Sequence, residues 1–152
     1  MRAAEIMTKE VVTVGPDESV GEIATLLLEN AITGVPVVDD ARRVLGIVSE
    51  SDLIGRPLAG SGRAWWLRLF GERSATLDEI TAARHLKAQD VMTKPAVTVG
   101  EETPLAILAR LMRRRRINRV PVLKEGRLVG IVSRADLLYA FTRTHEVTLY
   151  RG

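Results

Sequence analysis

Apolar residues at Val20, Ile23, Ala24, Leu27 and Ala31 recur at a helical period with polar residues between them, and the spacing predicts an amphipathic helix. Ser19 and Glu22 stand where a capping box would open it. A short apolar run, Val11 to Val14, precedes this helix and reads as a strand. Two further β-rich runs follow, Val35 to Val38 and Val44 to Val48, joined by Asp39 to Arg43, and a second helix is expected after Ser49. The same order then returns. Leu105, Leu108, Ala109 and Met112 keep the helical period, with Thr103 suited to the N-cap and Pro104 to the first helical position. Arg119 to Leu123 and Leu128 to Val132 are joined through Glu125-Gly126, a tight hairpin signal, and another helix is expected after Ser133. Each half therefore predicts a βαββα unit, an α+β fold.

The recurrence extends from pattern to residues. Met7-Thr8-Lys9 returns as Met92-Thr93-Lys94, Val12-Thr13-Val14-Gly15 as Val97-Thr98-Val99-Gly100, and Val35-Pro36-Val37 as Val120-Pro121-Val122. Gly46-Ile47-Val48-Ser49 with Asp52-Leu53 returns as Gly130-Ile131-Val132-Ser133 with Asp136-Leu137. A repeat of this length exceeds the roughly 20 to 50 residues of solenoid units. It divides the chain into a first domain over 1–56, a linker over 57–88, a second domain over 89–143 and a tail over 144–152. A lone domain of about 50 residues has a marginal core, so the two copies are expected to bury apolar surface against each other. In the linker, Gly55 to Gly62 reads as a flexible exit, the Trp65-Trp66 segment as an aromatic cluster that packs on the module or at a dimer contact, and Leu77 to Lys87 as a helix.

Composition changes this picture little. Hydrophobic residues are 46% and charged residues 27%, ordinary for a globular protein. Without cysteine there is neither a disulfide framework nor a thiolate site. No signal peptide or run long enough to span a bilayer is visible, so a cytoplasmic protein is expected. Charge is more informative. The net +3 divides into −5 over residues 1–56, +2 over 57–88 and +6 over 89–152, so the acidic and basic copies are expected to attract each other, within one chain or head to tail between the two chains of an expected homodimer. Nucleic acid is not an expected partner, because the basic half offers few aromatics and no recognition motif. The four arginines from Arg113 to Arg116 go around a whole helix turn and suit a solvated C-terminal end.

Candidate chemistry is sparse. Both histidines, His85 and His145, lie outside the repeated motifs, and neither metal-ligand spacing nor a glycine-rich phosphate loop is present, so no catalytic residue, metal or enzymatic activity is expected. The repeated polar residues are Ser49 with Asp52 and Ser133 with Asp136. Ser-x-x-Asp at a strand-to-helix junction is a sufficient helix cap in itself. It is also a workable nucleotide grip, with the hydroxyl donating to a phosphate and the carboxylate accepting from both ribose hydroxyls.

These motifs, in this order and twice over, closely resemble a tandem pair of cystathionine β-synthase (CBS) domains, a Bateman module. The resemblance covers about two thirds of the chain. It implies two domains packed sheet to sheet about a pseudo-twofold axis, and adenosine-containing regulatory ligands: AMP, ADP, ATP or S-adenosylmethionine, with no required cofactor. It implies further that Asp52 and Asp136 hold ribose, and that Ser49 and Ser133 contact phosphate. The base would lie on Val12, Thr13, Ile32, Thr33, Gly34 and Pro36, and on Val97, Thr98, Ile117, Asn118 and Pro121. Gly34 in one copy is Arg119 in the other, and an arginine there would add a phosphate contact. A regulatory sensor acting on an unidentified effector protein is the leading expectation; the alternative is a structural or protein-interaction module with degenerate ligand sites.

Overall fold

A computed structural model describes residues 1–54 and 83–150, with side chains described as far as 53 and from 83 to 143. The Gly55 to Gly62 exit, the Trp65-Trp66 segment and most of the predicted Leu77 to Lys87 helix lie outside these residues. In chain order the elements are α1 (Ala3–Ile6), α2 (Val20–Glu29), β1 (Gly34–Val38), β2 (Val44–Ser49), α3 (Glu50–Ile54), α4 (Ala88–Val91), β3 (Val99–Gly100), α5 (Leu105–Arg115), β4 (Arg119–Lys124), β5 (Arg127–Ser133) and α6 (Arg134–Tyr150). The backbone of the segment read as a tail is thus helical to Tyr150.

The chain forms two compact units, and they do not follow the repeat. One unit is Val12–Ala96; the other joins Met1–Val11 to Val97–Gly152. Each copy is therefore completed by the opening segment of the other. A division at 1–56 and 89–143 follows the repeated text, whereas the packing changes partner near Val11 and Ala96.

In the Val12–Ala96 unit, β1 and β2 form an antiparallel hairpin with Gly34 opposite Ser49 and Pro36 opposite Ile47. The loop between them is held by Asp39, whose Oδ1 accepts from the Ala41 and Arg43 amides at 2.9 Å each. The Val11 to Val14 strand is reduced to a single parallel bridge, Val14 to Val37. Val20, Ile23 and Leu27 of α2 are buried with Val35, Val37 and Val48 of the hairpin, as the period predicts, and Ala83 and Ala88 from the end of the linker, with Val91 and Met92 just past it, complete that core. Ala31, placed on the same apolar stripe by spacing, is instead an exposed residue past the helix end with φ 51°. The helix stops at Asn30, whose side-chain amide donates to the Leu26 carbonyl at 2.8 Å, so Ala31 leaves the helical path.

The other unit repeats the plan with a three-stranded sheet. β3 runs parallel to β4, and β4 pairs antiparallel with β5 so that Arg119 faces Ser133. The Glu125-Gly126 turn has φ 52° and 78°, the double positive φ of a tight hairpin that favours glycine. Leu108 and Met112 of α5 pack with Val120, Val122, Val132, Leu137 and, from the N-terminal segment, Ala3. The N-cap of α5 is Pro104 rather than Thr103, and it makes no side-chain cap bond. The cause is the N-terminal segment: Ala3 N–H donates to the Thr103 carbonyl at 2.8 Å and Leu105 N–H to the Met1 carbonyl at 2.9 Å, holding Pro104 extended beside Arg2. The equivalent bonds in the first copy run from Ala88 N–H to the Glu18 carbonyl and from Val20 N–H to the Leu86 carbonyl.

Two repeated motifs meet through this exchange. Thr93 pairs with Ile47 and Thr8 with Ile131, which lays Met92 over Gly46 and Met7 over Gly130. A Cβ on Gly46 would stand 2.7 Å from the Met92 sulfur and 2.8 Å from the Thr93 carbonyl oxygen, so a glycine is needed where Met-Thr crosses the strand.

Candidate functional site

The polar residues shared by both copies gather where the last strand of each hairpin enters a helix. In the second copy, Ser133 ends β5 and Asp136 lies in the first turn of α6. The Ser133 amide donates to Asp136 Oδ2 at 2.7 Å, the Ser133 hydroxyl lies 3.0 Å from the same oxygen, and the Asp136 amide reaches the Ser133 hydroxyl at 3.2 Å. This is a reciprocal helix cap, with Ser at the cap and the acidic residue three positions on. The Ser133 amide and hydroxyl use both lone-pair sites of Oδ2, while Oδ1 accepts no hydrogen bond among the described residues. Asp136 borders a surface hollow of about 290 Å3 that Glu5, Tyr139 and Arg143 also line, with the Arg143 guanidinium 4.7 Å from the Tyr139 ring centre.

In the first copy the Ser49 amide and hydroxyl reach Asp52 Oδ2 at 2.8 and 3.0 Å, reproducing the arrangement. The surroundings differ. Asp52 is only 7% exposed, and the Thr93 hydroxyl donates to its Oδ1 at 3.0 Å. The Ser49 hydroxyl also lies 2.9 Å from that of Ser51.

The segment before the repeated proline arrives at the same junction. Gly34 is the register partner of Ser49, and the Glu50 amide donates to the Thr33 carbonyl at 3.0 Å. Correspondingly, half-buried Arg119 is opposite Ser133, and the Arg134 amide donates to the Asn118 carbonyl at 3.0 Å. Within each unit the fold thus brings together Ser49, Asp52, Thr33 and Gly34, or Ser133, Asp136, Asn118 and Arg119. Ile32 and Ile117 precede these and are half-buried; Val12 and Thr13, and Val97 and Thr98, lead into Val14 and Val99 and remain partly accessible. Pro36 and Pro121 are fully buried inside β1 and β4, so their rings present no surface to a ligand. Arg113, Arg114 and Arg115 are exposed in the last turn of α5, and Arg116 closes it in the left-handed conformation, φ 53° and ψ 46°.

Sequence reasoning left Thr93 and Thr8 without a role. Their signal was the repeated Met-Thr, whose meaning required knowing that each copy of it packs against the other copy's last strand. Among the described residues no group of His, Cys, Asp or Glu is placed to hold a metal ion, and no helix is long and apolar enough to cross a membrane.

The model of the CBS domain matches residues 3–58 and again 88–143. Among known proteins, the chloroplastic CBS domain-containing protein CBSX1 of Arabidopsis thaliana is 34% identical over 147 residues, covering 90% of this chain and 62% of its own. An inosine-5'-monophosphate dehydrogenase of Korarchaeum cryptofilum is 31% identical over 139 residues, but the match takes in only 24% of that enzyme. The chain thus spans less than two thirds of the length of these relatives. Among solved structures, CBSX2 in complex with AMP superposes with a TM-score of 0.74 at 28% identity, covering 95% of this chain and 98% of that one.

Proposed function

Because this chain belongs to the CBS domain family and carries two copies of the domain, we propose that it is a regulatory module that binds adenosine-containing ligands. The observation that carries this reading is the junction itself. Each copy gathers a serine hydroxyl, an acidic side chain and the backbone before the buried proline at one strand-to-helix corner. A hydroxyl beside a helix start suits a phosphate, and a carboxylate with spare lone pairs suits the two hydroxyls of a ribose. The AMP complex of CBSX2 supports AMP as the first ligand to test. In this reading Ser49, Ser133 and Arg119 meet phosphate and Asp52 and Asp136 meet ribose. The base rests on the accessible residues Val12, Thr13, Ile32 and Thr33, and on Val97, Thr98, Ile117 and Asn118. No reaction is assigned; the ligand acts by its differential affinity for two states of the module, read by an effector protein in the cytoplasm.

The competing reading, a protein-interaction module with degenerate ligand sites, is favoured by one observation: the Ser-Asp pairs already serve as helix caps. Thermal shift against AMP, ADP, ATP and S-adenosylmethionine separates the two. A ligand at 100 times its dissociation constant stabilises the fold by about 2.7 kcal/mol, a shift of several degrees. The double variant D52A/D136A should lose that shift; a flat response to every ligand favours the competing reading.

A second copy of the chain is the natural partner. The Val12–Ala96 unit carries net charge −3 and the other unit +6. The equivalent helices show this most plainly: α2 exposes Glu22 and Glu29 around Leu28, which is 82% exposed, and α5 exposes Arg110, Arg113 and Arg114. We propose that α2 of one chain meets α5 of another, head to tail. Sedimentation should then show a dimer at low salt that weakens as salt screens the facing charges; a dimer indifferent to salt argues against this contact.

A further inference from the structure

Thr8 and Thr93 are the same residue of the two copies, and their backbones are held alike. Thr8 exchanges hydrogen bonds of 2.9 and 3.0 Å with Ile131, and Thr93 exchanges bonds of 2.8 and 3.1 Å with Ile47. Only the side chains differ in what they do. The Thr93 hydroxyl donates to Asp52 Oδ1 at 3.0 Å, whereas Thr8 makes no hydrogen bond to Asp136. The two candidate ribose carboxylates therefore stand in different states. Among the described residues, Asp136 Oδ1 accepts no hydrogen bond, and Asp136 borders a surface hollow. Asp52, nearly buried, has Oδ2 occupied by the Ser49 amide and hydroxyl and Oδ1 engaged by Thr93.

We infer that Thr93 is a positioning residue that keeps the Asp52 carboxylate closed to a vicinal diol, so that the module has one open adenosyl site, at Asp136, and one latent site, at Asp52. The inference rests on the nucleotide-binding reading and adds a rank order to it. A ribose approaching Asp52 must replace the Thr93 hydroxyl, which loses a hydrogen bond to a charged acceptor before gaining its own. Bonds of that kind are worth roughly a ten- to hundredfold change in affinity. Because the Thr93 backbone is fixed by Ile47, releasing its hydroxyl from Asp52 needs only a rotation about χ1, with no movement of the strand. The latent site opens at high ligand concentration, which would let the module respond over two concentration ranges.

Calorimetric titration of the full chain with AMP tests this. Wild type should show one strong site per chain, abolished by D136N. T93A should bring in a second site, tightened at least about tenfold over wild type and removed by adding D52N. T93S, which keeps the hydroxyl, should behave as wild type, and T8A should leave the Asp136 site as it was. T93A should also lower the melting temperature of the unliganded protein, since it deprives a buried carboxylate of a donor. Two equal sites in wild type, or T93A titrating as wild type while D136N still abolishes binding, would overturn the inference and leave the nucleotide reading in place. No binding by wild type or any variant would overturn the nucleotide reading and this inference together.

Discussion

Asp52 and Asp136 occupy the same place in the repeated text, yet truncating them should cost different amounts. Removing the Asp52 side chain, itself 7% exposed, deprives the Ser49 amide and the Thr93 hydroxyl of a charged acceptor. Asp136 is more accessible, and its loss costs mainly a helix cap. Urea unfolding should therefore show D52A destabilised by about 2–3 kcal/mol, in the range for hydrogen bonds to a charged group, and D136A by about 1 kcal/mol, the usual cost of a cap. Equal losses would mean that the Thr93 contact contributes nothing to stability. At this scale the sequence was informative about identity and silent about state. The Ser-Asp pairs and the Gly34-to-Arg119 difference were readable, because they are residue types at matched positions. The unequal hydrogen bonding of the two carboxylates was not, because it depends on a threonine 41 residues from Asp52 in the chain.

Helices and hairpins were the most legible elements, and their ends the least. The 3.6-residue period placed α2 and α5 because the buried side of each is set by a few large apolar residues, Ile23 and Leu27, or Leu108 and Met112. The cap choices separated. Ser19 accepts from the Glu22 amide at 3.2 Å as predicted, whereas Thr103 yields the N-cap to Pro104 because its carbonyl is drawn to Ala3. Ser19→Ala should accordingly cost about 1 kcal/mol in thermal or chemical unfolding, and Thr103→Ala only a few tenths, since its side chain caps nothing. The strand expected over Val11 to Val14 survives as one bridge in the first copy and as Val99–Gly100 in the second. A run of four apolar residues fixes that a segment is buried, and leaves open how many of its amides find a ladder.

For the whole molecule, the decisive feature is that the repeat unit and the packing unit are offset. Cutting the chain by the repeated text gives a fragment, 1–56, that lacks Ala83, Ala88, Val91 and Met92 of the core it needs. Cutting by packing gives 12–96, which holds all of them. Circular dichroism should find a cooperative thermal transition in 12–96 and none in 1–56; a cooperative transition in 1–56 would show the opening segment to be dispensable. The offset also imposes an order on biosynthesis. The Val12–Ala96 unit is complete in the chain before Arg2 can meet Pro104, and well before β4 and β5 are made. At roughly 5–20 residues per second, residues 1–11 wait on the order of 6–25 seconds for β4 and β5, the strands they pack against. The segment 1–11, made before the unit it packs on, finds its place only after most of that unit exists, and until then Ala3 and Ile6 remain open to whatever chaperone or neighbouring nascent chain encounters them.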